Sequence, residues 1–231
     1  MINPIVLIKK LYQLDDKNPK TLGFDIDEMN DLEQLSQVTL PPLLFHYCLE
    51  LGKVQALNHS HHTLLPLPFN KTADHLIIAK DNSGEAIWGI HQDDLNTANP
   101  PVFVSRNHDT YDKEHIHWLK ELPLASFLLA QAIFNGVNGG LKHYAQVFDF
   151  IGDTIPVDIV EKLQNPVIGA IEIDTLHQKH ERFFQIDDYK TVLMLSFNEL
   201  NLPNAFYMGG QDTAAFSRVA NQLAVAWDTL V

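Results

Sequence analysis

The chain of 231 residues is short of cysteine, of positive charge and of long apolar runs, and each shortage removes a class of protein. A single cysteine, Cys48, cannot form an internal disulfide, and its setting Phe45-His46-Tyr47-Cys48-Leu49 reads as a small buried hydrophobe in a reducing compartment. Sixteen basic residues against 29 acidic ones leave a formal charge of −13. Such a field repels the phosphates of nucleic acid and the anionic leaflet of a membrane, so neither is expected as a partner. Nowhere do about 18 uninterrupted apolar residues occur, which excludes a transmembrane helix. The start, Met1-Ile2-Asn3-Pro4-Ile5-Val6-Leu7-Ile8-Lys9-Lys10, sets its lysines after a short apolar run, unlike a secretory signal. A cytoplasmic protein is expected.

Catalytic and cofactor motifs are also missing. There is no Gly-x-Ser-x-Gly elbow, and Cys48 lacks a basic neighbour to activate it. Neither Gly-x-Gly-x-x-Gly nor Gly-x-x-x-x-Gly-Lys-Ser/Thr occurs, so the usual backbone cradles for dinucleotides and nucleoside triphosphates are absent. The pairs Gly139-Gly140 and Gly209-Gly210 read as turns, and Asp93-Asp94 and Asp187-Asp188 as solvated acids. No cofactor is expected, and the protein is read as non-enzymatic.

What remains is a chain with 45% hydrophobic residues, enough for a packed core. Without repeats or a long linker, residues 1–231 are expected to form one domain, with 1–20 a peripheral N-terminal arm. Asp25-x-x-Glu28 opens a helical stripe of Ile26, Met29, Leu32 and Leu35. Pro41-Pro42 starts a second helix, with Leu44, Tyr47, Cys48 and Leu51 on one face up to Gly52. Leu76–Ala79, the turn Asp81-Asn82-Ser83-Gly84 and Ala86–Ile90 form a hairpin, and Val102–Ser105 adds a third strand. Leu122–Phe134 reads as a buried helix, Pro156–Leu163 as a short one, and 167–173, 182–186 and 192–197 as strands. A last helix, capped by Asp212 or Thr213, carries Phe216, Val219, Ala220, Leu223, Trp227 and Leu230. The class is α+β, a largely antiparallel sheet flanked by helices.

Twelve histidines fall mainly in His59-Ser60-His61-His62, in His115-Ile116-His117 with His108 upstream, and in His177-Gln178-Lys179-His180. None has the His-Glu-x-x-His spacing that puts two imidazoles and a base on one helical face, so surface histidines are the favoured reading and no metal is expected. A histidine-dependent metallohydrolase, resting on His115 and His117, stays as a third alternative. Arg106-Asn107-His108-Asp109 uses residue types of metal nucleases, but the anionic field opposes a polyanionic substrate. Of the tryptophans, Trp88 and Trp227 fall on core stripes, whereas Trp118 follows a charged loop and suits the edge of a groove.

The order of these elements resembles the SUKH superfamily, the SMI1/KNR4-like proteins. The resemblance is carried by Ile26–Leu35 running into Leu40-Pro41-Pro42-Leu43-Leu44-Phe45-His46-Tyr47, by Leu51-Gly52 and Leu64-Leu65-Pro66, and by Leu76–Ala79 with Trp88-Gly89-Ile90. Asn99-Pro100-Pro101-Val102, the Leu122–Phe134 helix and the final helix with Trp227 extend it over most of the chain after about residue 20. It implies a non-enzymatic SMI1/KNR4-like fold and, for bacterial members, an immunity protein that neutralises a toxin, often a nuclease. Eukaryotic relatives act as regulatory scaffolds, which is the alternative. The family transfers no catalytic residues; Pro41, Trp88 and Gly89 transfer as fold positions.

Charge points the same way by a separate route. Residues 21–100 hold eleven acids against three lysines. A basic toxin domain would be steered there, and the candidate partner-binding residues are Asp25, Asp27, Glu28, Asp31, Asp93 and Asp94, with Trp118. Exposed edge strands in such a sheet would also allow a homodimer.

Overall fold

A computed structural model of the protein describes residues 3–106, 116–149, 155–176, 180–223 and 225–231. In chain order the elements are α1 (Pro4–Tyr12), α2 (Pro19–Leu22), α3 (Ile26–Ser36), α4 (Pro42–Leu51), α5 (Gln55–Asn58), β1 (His62–Leu64), β2 (His75–Asp81), β3 (Ile87–His91), β4 (Pro101–Ser105), β5 (Leu119–Pro123), α6 (Leu124–Asn135), β6 (His143–Phe148), α7 (Ile159–Gln164), β7 (Ile171–Glu172), β8 (Glu181–Ile186), β9 (Thr191–Phe197), β10 (Pro203–Gly210), α8 (Thr213–Leu223) and β11 (Thr229–Leu230). The class is α+β, as expected, but the strands form two antiparallel sheets where the sequence suggested one. Contacts group the chain into two compact units, Met1–Ile5 with Lys17–Gln131 and Val6–Asp16 with Ala132–Val231.

In the first unit the expected capping box closes α3. Glu28 N–H donates to Asp25 Oδ1 at 2.8 Å, and Asp25 N–H donates back to Glu28 Oε2 at 2.8 Å. The apolar stripe behind that cap is only partly used: Met29 is buried, while Ile26 and Leu35 stay 59% and 70% exposed. The stripe of α4 is buried throughout, at Leu44, Tyr47, Cys48 and Leu51. Burial also pushes the Cys48 thiol well above its ordinary range, so it is inert, as its apolar setting suggested. Buried Asn58 at the end of α5 is satisfied, accepting from Tyr47 Oη at 2.8 Å and donating from Nδ2 to Leu51 O at 2.8 Å. The sheet is a meander, β1-β2-β3-β4-β5, with a bulge in β2 between Ile77 and Ala79.

The second unit carries the six-stranded sheet in the order β11-β6-β10-β9-β8-β7. Phe184, Leu193 and Phe206 from its strands pack with Phe216, Val219 and Leu223 of α8 in one apolar cluster. Each such fully buried side chain contributes roughly 1.5–3 kcal/mol.

Residues 1–20 are not a loose arm: Pro4–Tyr12 is a helix with Ile8 and Leu11 buried, and Tyr12 Oη donates to Ala132 O at 2.9 Å. Gly209-Gly210 is not a turn but the end of β10, because an added Cβ at Gly209 would lie 2.9 Å from Leu141 Cδ1; glycine permits a close approach. The last helix, capped by Asp212, which accepts from Ala215 N–H at 2.8 Å, stops at Leu223. Trp227 and Leu230 lie beyond it, Trp227 against Phe206 with ring centroids 5.2 Å apart and Leu230 in β11 opposite Ala145. Backbone pairing with β6 thus overrides the helical period. Among the described residues, no helix is long and apolar enough to cross a membrane.

Candidate functional site

The acids singled out from the sequence fall on two separate elements of the first unit. Asp25 and Glu28 are occupied by the α3 cap, and Glu28 also accepts from Lys53 Nζ at 2.6 Å. The Lys53 ammonium and the Asp25 N–H together hold the Glu28 carboxyl below the usual range. Asp27 and Asp31 are exposed, and among the described residues neither has an ion-pair partner. Asp93 and Asp94 lie in the 3₁₀ turn after β3, where Asp93 N–H donates to His91 Nδ1 at 3.3 Å.

Trp118, half-buried, belongs to an aromatic face that the sequence did not reveal and that Asp93 reaches through His91. Its ring stacks on His75 at 4.1 Å and 16°, and His75 in turn meets His91 edge-on at 5.1 Å and Phe103 at 5.4 Å. His75 Nδ1–H donates to Asp74 Oδ1 at 2.7 Å, which holds the Asp74 carboxyl below its usual range. The register explains the assembly: His75 opposes His91, and Gly89 opposes Phe103, so all four share one face of the sheet. Gly89 provides the floor. A Cβ there would stand 3.0 Å from Leu76 O and 3.2 Å from Trp118 Cη2. Gly89→Ala is therefore expected to push Trp118 off His75 at a cost of about 1–2 kcal/mol, read as a red shift of tryptophan emission.

Trp88, the neighbour of Gly89, points to the opposite face, as strand alternation requires. Its ring lies 4.8 Å from His62 and 6.2 Å from Phe127 of α6, and its Nε1–H donates to Glu121 Oε2 at 3.0 Å. Burial pushes the Glu121 carboxyl up, against the lowering effects of Trp88 and of Arg106. His62 Nδ1–H donates to Gln131 Oε1 at 2.9 Å, and His62 Nε2 lies 3.9 Å from Asp81 Oδ1. Burial lowers the affinity of His62 for a proton, more than the Gln131 bond raises it. Burial raises that of Asp81, but Ser83 N–H at 3.2 Å, Ser83 Oγ–H and His62 outweigh it, so its carboxyl stays low. One donor atom from each of His61, His62 and Asp81 lies within 4.8 Å of the others. The carboxylate was invisible in the His59–His62 motif because it comes from the hairpin turn, where Asp81 is the cross-strand partner of His62.

The other histidine motifs do not assemble among the described residues. His117 is exposed, His180 Nε2 is 3.8 Å from Glu199 Oε1, and His108, His115, His177 and the segment Asn107–Asp109 lie outside the described residues. Comparison of the chain with family models, with curated proteins and with solved structures finds no match.

Proposed function

We propose that this is a non-enzymatic binding protein that neutralises a basic toxin domain, of the immunity type implied by the SUKH-like order of its elements. The observation that carries the reading is the charge of residues 21–100: eleven acids face three lysines. Two of those lysines are already engaged, Lys53 with Glu28 and Lys71 with the Gln37 carbonyl. The exposed acids Asp27, Asp31 and Asp93, the last with His91 Nδ1 3.5 Å from its Oδ2, raise the encounter rate of a cationic partner, and the Trp118 face around His91 offers apolar area for the docked state. The mechanism is steric and electrostatic blockade, with no chemistry at the surface.

Asp25 and Glu28 are poor test positions, since their loss would unravel a helix cap worth about 1 kcal/mol. Asp27→Lys, Asp31→Lys and Asp93→Lys together change the formal charge from −13 to −7 without touching the cap. The tagged protein should recover one basic, salt-sensitive partner from the proteins of its own source. Against that partner the triple variant should associate about ten-fold more slowly at low salt, the difference closing as salt screens the field. An acidic partner, or an association rate untouched by the three substitutions, rejects the acidic surface; recovery of a signalling protein favours the scaffold alternative.

A further inference from the structure

We propose that His61, His62 and Asp81 form a binding site for one transition-metal ion of the zinc class, clamping the start of β1 to the end of β2. Two imidazoles and a carboxylate are a donor set that zinc accepts, and three protein ligands leave a fourth tetrahedral position for water or a partner's side chain. The three donor atoms lie within 4.8 Å of one another, with His62 Nε2 and Asp81 Oδ1 3.9 Å apart. A tetrahedral zinc separates its ligand atoms by about 3.3 Å, given bond lengths of about 2.0–2.2 Å. His61 is exposed and precedes the strand, its ring centroid 5.3 Å from that of His62, so the remaining closure needs a side-chain rotation there and no change of strand register.

The second observation is the environment of the two inner ligands. His62 is 8% exposed, and its Nδ1–H is spent on Gln131 Oε1 at 2.9 Å, which leaves Nε2 as the lone-pair nitrogen on the Asp81 side. A bond from the far ring nitrogen to an amide or carboxylate oxygen is what orients metal-ligating histidines. Packing against Trp88 at 4.8 Å fixes the ring plane, and both bonds from Ser83 hold the carboxylate of Asp81 in the hairpin turn. Ligands, their supporting bonds and their cross-strand register therefore agree, and none of this depends on the proposed binding partner.

The test uses the untagged protein and zinc alone. After loading and dialysis against metal-free buffer, the wild type should retain one equivalent of zinc, and zinc should raise its melting temperature by several degrees. Cobalt in place of zinc should show the strong visible absorption of a tetrahedral site. His61→Ala, at an exposed position, and Asp81→Asn should each weaken binding at least ten-fold and abolish the thermal shift, with circular dichroism confirming the fold. Gln131→Met should weaken it ten-fold or more through loss of the orienting bond. His46→Ala and His180→Ala should change nothing. A wild type that retains no zinc overturns the proposal, as does retained zinc whose affinity is the same in His61→Ala and Asp81→Asn.

Discussion

Gly23→Ala is expected to cost about 3 kcal/mol or more, a large part of the stability of a protein of this size. A Cβ at Gly23 would sit 1.7 Å from Leu49 O, 2.2 Å from Leu49 C and 2.8 Å from Glu50 N. These are backbone atoms of α4, so no side-chain rotation relieves the clash and the helix itself must move. That movement would strain Phe24 N–H to Cys48 O at 3.0 Å and Lys53 N–H to Leu22 O at 2.8 Å, the bonds that tie α2 to α4. Gly169→Ala is the control. Its added Cβ meets nothing closer than 3.8 Å, but φ is +66°, so it should lose only about 1 kcal/mol through backbone conformation. Equilibrium urea unfolding of both variants measures the difference; equal losses would mean that α4 yields at little cost.

Trp88→Ala should cost about 3–5 kcal/mol, because the indole is 5% exposed and fills the space between β3 and Phe127. Trp88→Phe separates the polar part of that cost. Phenylalanine keeps most of the apolar contact but removes the Nε1–H donor to Glu121, which leaves a half-buried carboxylate short of a partner at about 1–3 kcal/mol. The pH dependence has a definite sign. Burial raises the folded affinity of Glu121 for its proton, so its contribution is fully present below the ordinary value of 4.5 and declines as pH rises through the folded value. The Trp88→Phe deficit should thus be larger at pH 7 than at a pH well below the ordinary value of 4.5, where the carboxyl carries its proton. Glu121→Gln, whose amide oxygen still accepts from Trp88, should be more stable than wild type at pH 7 and flatten the decline. Urea unfolding at the two pH values decides this; a Trp88→Phe deficit independent of pH would show that the Glu121 bond contributes nothing.

Local rules made much of the fold legible. The Asp25/Glu28 capping box, the proline start of α4 and the hairpin around Asp81–Gly84 rest on contacts within a few residues, and α6 on an unbroken apolar run. Five strands escaped notice, β1, β5, β6, β10 and β11; the two longest, β6 and β10, contain glycines, polar residues or a single proline, and only pairing makes them strands. The same holds for α1, whose four-residue apolar run is too short to announce a helix until its Ile8 face is buried.

For the candidate sites the division is sharper. The sequence by itself determined the charge of −13 and its concentration in residues 21–100, because charge is a property of composition and survives any folding. It also determined that Trp88 is core and that Trp118 stands apart, since neighbouring polarity marks both. Only the tertiary structure decided which residues meet. Antiparallel register put Asp81 across from His62 and His91 across from His75, and the carbonyl of Gln131 in α6 oriented the inner imidazole. Those partners are 19, 16 and 69 positions away in the chain, a separation at which no local periodicity carries information and strand register and helix packing alone determine contact.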